Sequence, residues 1–216
     1  MKRQRRRTIV MSVSAAALLA GGPLLTGCST GSHPGAAAVV GGERITVAEV
    51  QSHVEAVREA QRAQPNADEL IAVTSGLTRQ TVNFLVYLEV IDRAAADHGI
   101  EVTRRQVQEE RDRAEEFAGG RERLEMTALI PQQPGVVPLT SDQIDEVLRS
   151  NVQYRQLAEQ VGEQRVGEVL AETAEEIGVD VNPRYGQWDP QAVALTDAEM
   201  PWLRAPEEDA GAGARA

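Results

Sequence analysis

The sequence predicts a mainly α fold, with a small β-hairpin near the start of the folded region and a strand segment that returns near its C-terminus. Aromatic residues make up only 3% of the chain, so the core must consist mostly of Leu, Val, Ile and Ala, which favours packed helices over a β-sandwich. In four places Thr or Asn stands three positions before Glu or Gln, ahead of apolar residues at helical spacing, which is typical of helix capping boxes. The four pairs are Thr46 and Glu49, Asn66 and Glu69, Thr103 and Gln106, and Thr140 and Gln143.

The first 27 residues have the layout of an export signal. A basic cluster at residues 2–7 precedes an apolar run at residues 9–25, which Gly21, Gly22 and Pro23 interrupt. A membrane-spanning helix needs roughly 20 predominantly apolar residues. The run is therefore predicted to be a cleaved signal peptide, residues 1–27, rather than a permanent span.

The end of this run, Leu25-Thr26-Gly27-Cys28, contains the chain's single cysteine. It resembles the lipobox of bacterial lipoproteins, in which the bond before Cys is cut and the thiol receives a diacylglycerol. The resemblance implies cleavage between Gly27 and Cys28, lipidation of Cys28 with palmitate-type chains, and a lipid anchor on the extracytoplasmic face of the cell membrane. Two or more acyl chains anchor stably, since each buried methylene contributes about 0.8 kcal/mol. The alternative is an ordinary signal peptide with an incidental cysteine, and the export route is left open between the general and the twin-arginine pathways.

The mature chain is strongly acidic. Removing residues 1–27 takes away five basic side chains and no acidic one, which changes the net charge from −11 to −16. Such a surface repels phosphates and anionic lipid headgroups, so we expect no nucleic-acid partner and membrane contact through acyl chains alone. The alternative role of the charge is solubility.

The mature chain is predicted to begin with a tether and a hairpin. Residues 28–37 are rich in Ser, Gly and Pro without periodicity, which predicts a flexible tether. Residues 38–40 and 43–45 are short β-forming runs around Gly41-Gly42. A tight primed turn needs positive φ at both central positions, so Gly41 and Gly42 are predicted structural residues.

Apolar periodicity predicts helices in the order 46 to about 63, 66–99 with a bend at Ser75-Gly76, 103–116, 121–130, and one or two helices over 140–178. Residues 131–138 contain three prolines and are predicted to form a loop. Residues 179–181 alternate like a strand. Residues 191–216 are predicted to be a disordered acidic tail.

Two segments resemble a known family. Residues 39–50, Val-Val-Gly-Gly-Glu-Arg-Ile-Thr-Val-Ala-Glu-Val, resemble the opening of the SurA N-terminal chaperone domain, which SurA-like and PrsA-like foldases share. Residues 181–189 resemble the segment that returns late in such proteins to complete the module. The resemblance implies a helical chaperone domain over residues 38–190, in which Tyr185 and Trp188 pin the returning segment against the helices.

The chain departs from the family in its middle. Residues 103–178 read as helices and a Pro-rich loop and offer no candidate for the sheet of a parvulin isomerase domain, which some family members insert. His98 is the only histidine near this region, whereas parvulin sites use a pair. The resemblance therefore implies polypeptide binding without isomerase activity.

The residue inventory offers little for catalysis. The only lysine, Lys2, belongs to the signal peptide, and His33, His53 and His98 stand apart from one another. The acidic pairs, such as Glu109-Glu110, are predicted to be solvated helix faces. We therefore predict no enzyme, no catalytic residue, no metal ligand, no cofactor and no small-molecule substrate.

The leading functional hypothesis is an ATP-independent chaperone that binds unfolded or extended secreted polypeptides in a groove between helices. Such grooves need adaptable apolar and aromatic side chains. The candidates for peptide contact are Phe84, Tyr87, Phe117, Met126 and Tyr154, for each of which core packing is the alternative. The competing hypotheses are an adaptor lipoprotein dedicated to one envelope partner and, third, a peptidyl-prolyl cis-trans isomerase.

Overall fold

The computed structural model describes residues 34–130 and 136–196. The predicted signal peptide, Cys28 and residues 197–216 lie outside the described residues. The helices are α1 Val47–Arg62, α2 Ala67–Val73, α3 Leu77–Asp97, α4 Arg104–Ala118, α5 Arg121–Ala128, α6 Ser141–Val161 and α7 Glu163–Ile177. The strands are β1 Ala36–Val40, β2 Glu43–Thr46, β3 Val179–Val181, β4 Gln187–Asp189 and β5 Ala194–Thr196, and Pro183–Tyr185 forms one turn of 3-10 helix. The predicted mainly α fold is confirmed.

The hairpin and the returning strand form one antiparallel sheet in the order β2-β1-β3. Gly41 and Gly42 join β1 to β2 with φ values of 59° and 86°, as the predicted turn requires. β1 begins at Ala36, two residues inside the predicted tether. Ala36 and Ala37 are buried, and the carbonyl oxygen of Ala37 accepts a hydrogen bond of 2.9 Å from the backbone N–H of Asn182. The folded region therefore starts earlier because these small residues pack beneath the returning segment.

Three of the four predicted capping boxes form. At the start of α1, Thr46 Oγ1 accepts from the backbone N–H of Glu49 at 3.0 Å, and the Glu49 carboxylate accepts from the backbone N–H of Thr46 at 3.3 Å. The same reciprocal arrangement begins α4 and α6, with the pairs Thr103 and Gln106, and Thr140 and Gln143. Asn66 makes no capping hydrogen bond with its side chain.

The predicted bent helix over residues 66–99 is two helices, α2 and α3, separated at residues 74–76. The side chain of Thr74 is buried and donates to the carbonyl oxygen of Leu70 at 2.7 Å. Arg58 of α1 donates to the carbonyl oxygen of Thr74 at 2.7 Å. These contacts satisfy polar groups at the end of α2, so the chain can leave the helix there.

The core is organised around α3. This helix packs against β1, α1, α6 and α7, and its residues Val82, Val86, Val90 and Ile91 are fully buried. Neighbouring elements contribute aliphatic side chains, among them Val50 of α1, Leu157 of α6 and Val166 of α7. Tyr185 and Trp188 are partly buried and pack against this cluster. Both side chains therefore contribute to the apolar packing around α3.

The last two strands, β4 and β5, form an antiparallel hairpin that the sequence pattern does not predict. The backbone N–H of Leu195 donates to Asn83 Oδ1 at 2.6 Å, and Arg79 donates to the carbonyl oxygen of Leu195 at 3.2 Å. Both partners are side chains of α3. Residues 191–196, predicted as part of the disordered tail, are thus ordered by contact with α3, and the folded region extends to Thr196 instead of ending at 190.

Candidate peptide-binding groove

A surface groove of about 260 Å³ lies between α3 and α6, and we call it the α3–α6 groove. Helix α3 contributes Gln80, Asn83, Phe84 and Tyr87, and helix α6 contributes Val147, Ser150 and Asn151. Residues three and four apart share a helix face, so each set forms a continuous wall. The segment between α5 and α6 adds Val136, Val137 and Leu139.

Among the described residues, the lining of the α3–α6 groove is apolar with three amides and the hydroxyls of Ser150 and Tyr87, and it includes no charged side chain. Phe84 and Tyr87 are partly buried, and Val136 is 47% exposed. Burial raises the pKa of the Tyr87 hydroxyl, and the neighbouring Tyr154 raises it further. Tyr154 follows Asn151 by about one turn of α6 and is close enough to Tyr87 for this electrostatic effect, but it does not belong to the groove lining.

The structure thus places two of the five predicted contact residues, Phe84 and Tyr87, in the groove, and Tyr154 near Tyr87. Met126 instead lines a separate cavity of about 440 Å³ between α1, α5 and the start of α6. Phe117, near the end of α4, is 96% exposed and lines neither cavity. Val136 and Val137 were not predicted as contacts, because a Pro-rich loop has no periodicity to show which way its side chains face.

A second pocket, of about 230 Å³, lies between α1, α3 and α6, and we call it the acidic pocket. Its carboxylates are Glu49, Glu89, Asp92 and Glu146, and His53 and Arg149 also line it. Gln143, the capping residue of α6, reaches His53 Nδ1 at 3.0 Å. Among the described residues, no group of three or more His, Cys, Asp or Glu side chains could hold a metal ion.

Two carboxyl groups of the acidic pocket resist ionisation. Burial raises the pKa of Glu89, and the charges of Glu43, Asp92 and Glu49 raise it further. Burial also raises the pKa of Glu146; Glu49 and Asp142 add to the rise, and His53 opposes it. The Oε2 atom of Glu146 is buried without a hydrogen-bond partner. Ionised Glu146 therefore destabilises the folded state.

The variant Glu146→Gln is expected to have a higher Tm than the wild type at pH 7. A carboxyl whose pKa is raised by folding takes up its proton preferentially in the folded state, so its unfavourable effect fades as the pH falls through the raised value. The difference in Tm should therefore be largest near pH 7 and shrink towards about pH 4.3, the ordinary Glu value. Thermal unfolding between pH 4.5 and 8 measures it. Exposed Glu172→Gln is the matched control, and an equal response of both variants would contradict the account.

Comparison with known families gives a match over the N-terminal part of the chain. A family model described as the SurA-like N-terminal domain matches residues 1–129. The chain belongs to this family. The match includes the β1–β2 hairpin and helices α1 to α5, and therefore the α3 wall of the groove.

SurA-like N-terminal domains are extracytoplasmic domains of the chaperone type, and the match indicates no parvulin domain. No curated protein and no solved structure matched the chain. Within the described ranges, no helix of this SurA-like chain is long and apolar enough to cross a membrane.

Proposed function

We propose that the protein is a lipid-anchored extracytoplasmic chaperone that binds unfolded or extended secreted polypeptides without ATP. The observation that carries the proposal is the α3–α6 groove, which Phe84 and Tyr87 line with Tyr154 near Tyr87, on a chain that is otherwise highly acidic. Membership of the SurA-like family supports a role in polypeptide binding.

The groove suits segments of a polypeptide rather than a folded partner. Its volume of about 260 Å³ is slightly below that of typical ligand pockets, roughly 300–1,000 Å³, so it takes one or two side chains at a time. The amides of Gln80, Asn83 and Asn151 offer donors and acceptors to a peptide backbone, while the aromatic rings cover apolar side chains. Affinity then comes from several weak contacts along an extended client, with the Met126 cavity and exposed Phe117 as further proposed contacts.

Suppression of aggregation by the purified full chain tests this function. Several chemically denatured proteins of different sequence are diluted with and without the chain, and light scattering is followed. We expect slower aggregation of most of them at near-stoichiometric amounts. Aggregation at the buffer rate for all of them would contradict the proposal.

The proposed anchor is Cys28, at the end of Leu25-Thr26-Gly27-Cys28. The variant Cys28→Ser cannot accept a thioether-linked diacylglycerol, so we expect it to keep its signal peptide without any lipid mass, and to stay in the membrane fraction through the uncleaved apolar run at residues 9–25. Fractionation combined with a mass measurement of the protein checks both expectations. Wild-type protein that gains no lipid mass would show instead that the signal peptide is an ordinary one.

A further inference from the structure

The described chain ends beside the α3–α6 groove. The backbone N–H of Leu195 donates to Asn83 Oδ1 at 2.6 Å, and Asn83 is one of the residues that line the groove. Thr196, the next residue, is the last one described. Whatever follows therefore begins within a few ångströms of the α3 wall.

The residues that follow are suited to an apolar groove. Residues 197–205 read Asp-Ala-Glu-Met-Pro-Trp-Leu-Arg-Ala and place Met200, Trp202 and Leu203 within four positions. The chain has two Phe, two Trp and three Tyr residues, and Trp202 is the only one of them beyond the described ranges. Because the described lining residues are uncharged, they neither attract nor repel the acidic residues that precede this apolar set.

Residues 197–203 are also long enough to reach along the α3–α6 groove. The α3 wall from Gln80 to Tyr87 measures about 10 Å along the helix axis, at 1.5 Å per residue. Residues 197–203 span up to roughly 23 Å when extended, at about 3.3 Å per residue. Trp202 can therefore reach any part of the groove without a change in the described fold.

We propose that residues 197–205 occupy the α3–α6 groove when no client is bound, with Trp202 and Leu203 as the inserted side chains. The segment then acts as an internal competitor that a client must displace, which regulates the proposed chaperone site. This inference rests on the proposed function for its consequence, although docking of the segment itself does not require clients. When the groove is partly occupied, the apparent Kd of any other ligand equals its intrinsic Kd divided by the unoccupied fraction.

A fluorescein-labelled peptide with the sequence of residues 197–205, added to the full chain, tests the docking directly. We expect the double variant Trp202→Ser, Leu203→Ser to bind this peptide roughly fivefold or more tightly than the wild type, because its own segment no longer competes. Adding Asn151→Arg to the double variant should weaken binding about tenfold, because a guanidinium then faces an apolar lining. Adding Gln160→Arg, an exposed position of the same helix away from the groove lining, is the matched control and should leave the Kd unchanged.

The outcomes separate this inference from the proposed function. No binding, or equal Kd values for the wild type and the double variant, would overturn the docking of residues 197–205. A competing effect that grows with protein concentration would overturn it too, because the occupant would then be the tail of a second copy. If the peptide results hold but denatured proteins neither displace the peptide nor stay soluble, the proposed function fails and the docking stands. If denatured proteins bind the groove but the peptide does not, the proposed function stands alone.

Discussion

Replacing Arg111 with alanine is expected to lower the free energy of unfolding by about 1.5–3 kcal/mol, since it removes a buried cation that donates hydrogen bonds to partly exposed carboxylates on three helices. The Arg111 side chain is only 8% exposed and contacts Glu115 of its own helix at 3.0 Å, Glu125 of α5 at 3.2 Å and Asp145 of α6 at 2.6 Å. It also donates to the carbonyl oxygen of Ser141, at the start of α6, at 3.0 Å. One guanidinium therefore joins three helices.

Urea unfolding of the purified full chain measures this loss. The matched control is Arg105→Ala on the same helix, because Arg105 is 85% exposed and lies 3.7 Å from Glu109. An exposed pair of this kind contributes about 0–1 kcal/mol. A loss below about 1 kcal/mol for Arg111→Ala, similar to that of the control, would show that the three helices are held by apolar packing alone.

The second large effect is expected from Asn151→Arg, which should remove most of the suppression of client aggregation. Asn151 is exposed on α6 and lines the α3–α6 groove, so the substitution places a charge over an apolar lining without disturbing the core. We expect an unchanged Tm together with a roughly tenfold weaker affinity for denatured clients. Such a loss corresponds to about 1.4 kcal/mol of binding free energy.

Light scattering of aggregating clients and thermal unfolding are measured side by side on Asn151→Arg and on Gln160→Arg. The two variants add the same charge to the same helix, but Gln160 does not line the groove. Equal suppression by both would place client binding elsewhere on the protein. A lowered Tm for Asn151→Arg alone would be separated from a binding defect by repeating the assay well below its unfolding temperature.

Local signals predicted the starts of the helices well. The Thr46, Thr103 and Thr140 boxes each involve residues three positions apart, so the pattern contains the whole interaction. The break between α2 and α3 depends on Arg58, which lies 16 residues from Thr74 in sequence. The break was therefore predicted only as a bend at Ser75-Gly76.

Long-range contacts explain the features of the fold that the sequence pattern did not predict. Strand β5 is held by Asn83, 112 residues away, and its sequence does not alternate. The sequence of α4 predicts a solvent-exposed, charged helix. In the structure, however, Arg111 pairs with residues up to 34 positions away, and Glu110 pairs with Arg155 of α6 at 2.9 Å. A charged residue that pairs with another helix and one that faces solvent look the same in the sequence, so only the tertiary structure distinguishes them.

The sequence predicted part of the α3–α6 groove, because spacing within one helix can be read from the sequence and packing between two helices cannot. Phe84 and Tyr87 share a face of α3 by their spacing alone, and the sequence identified both as candidates. Whether Tyr154 of α6 meets them depends on how the two helices pack, and Met126 and Phe117 lie elsewhere. Spacing therefore defined one wall of the groove, and helix packing decided which candidates join it.

Photo-crosslinking in intact cells tests whether the α3–α6 groove binds many different polypeptides. A photoreactive amino acid replaces Tyr87 in the groove, Met126 in the separate cavity, or Gln160 on the exposed face of α6 as the background, and the captured proteins are identified. We expect the probe at Tyr87 to capture many different secreted polypeptides that the probe at Gln160 does not capture. One dominant partner at Tyr87, or a set no different from that at Gln160, would contradict a general chaperone acting through the α3–α6 groove.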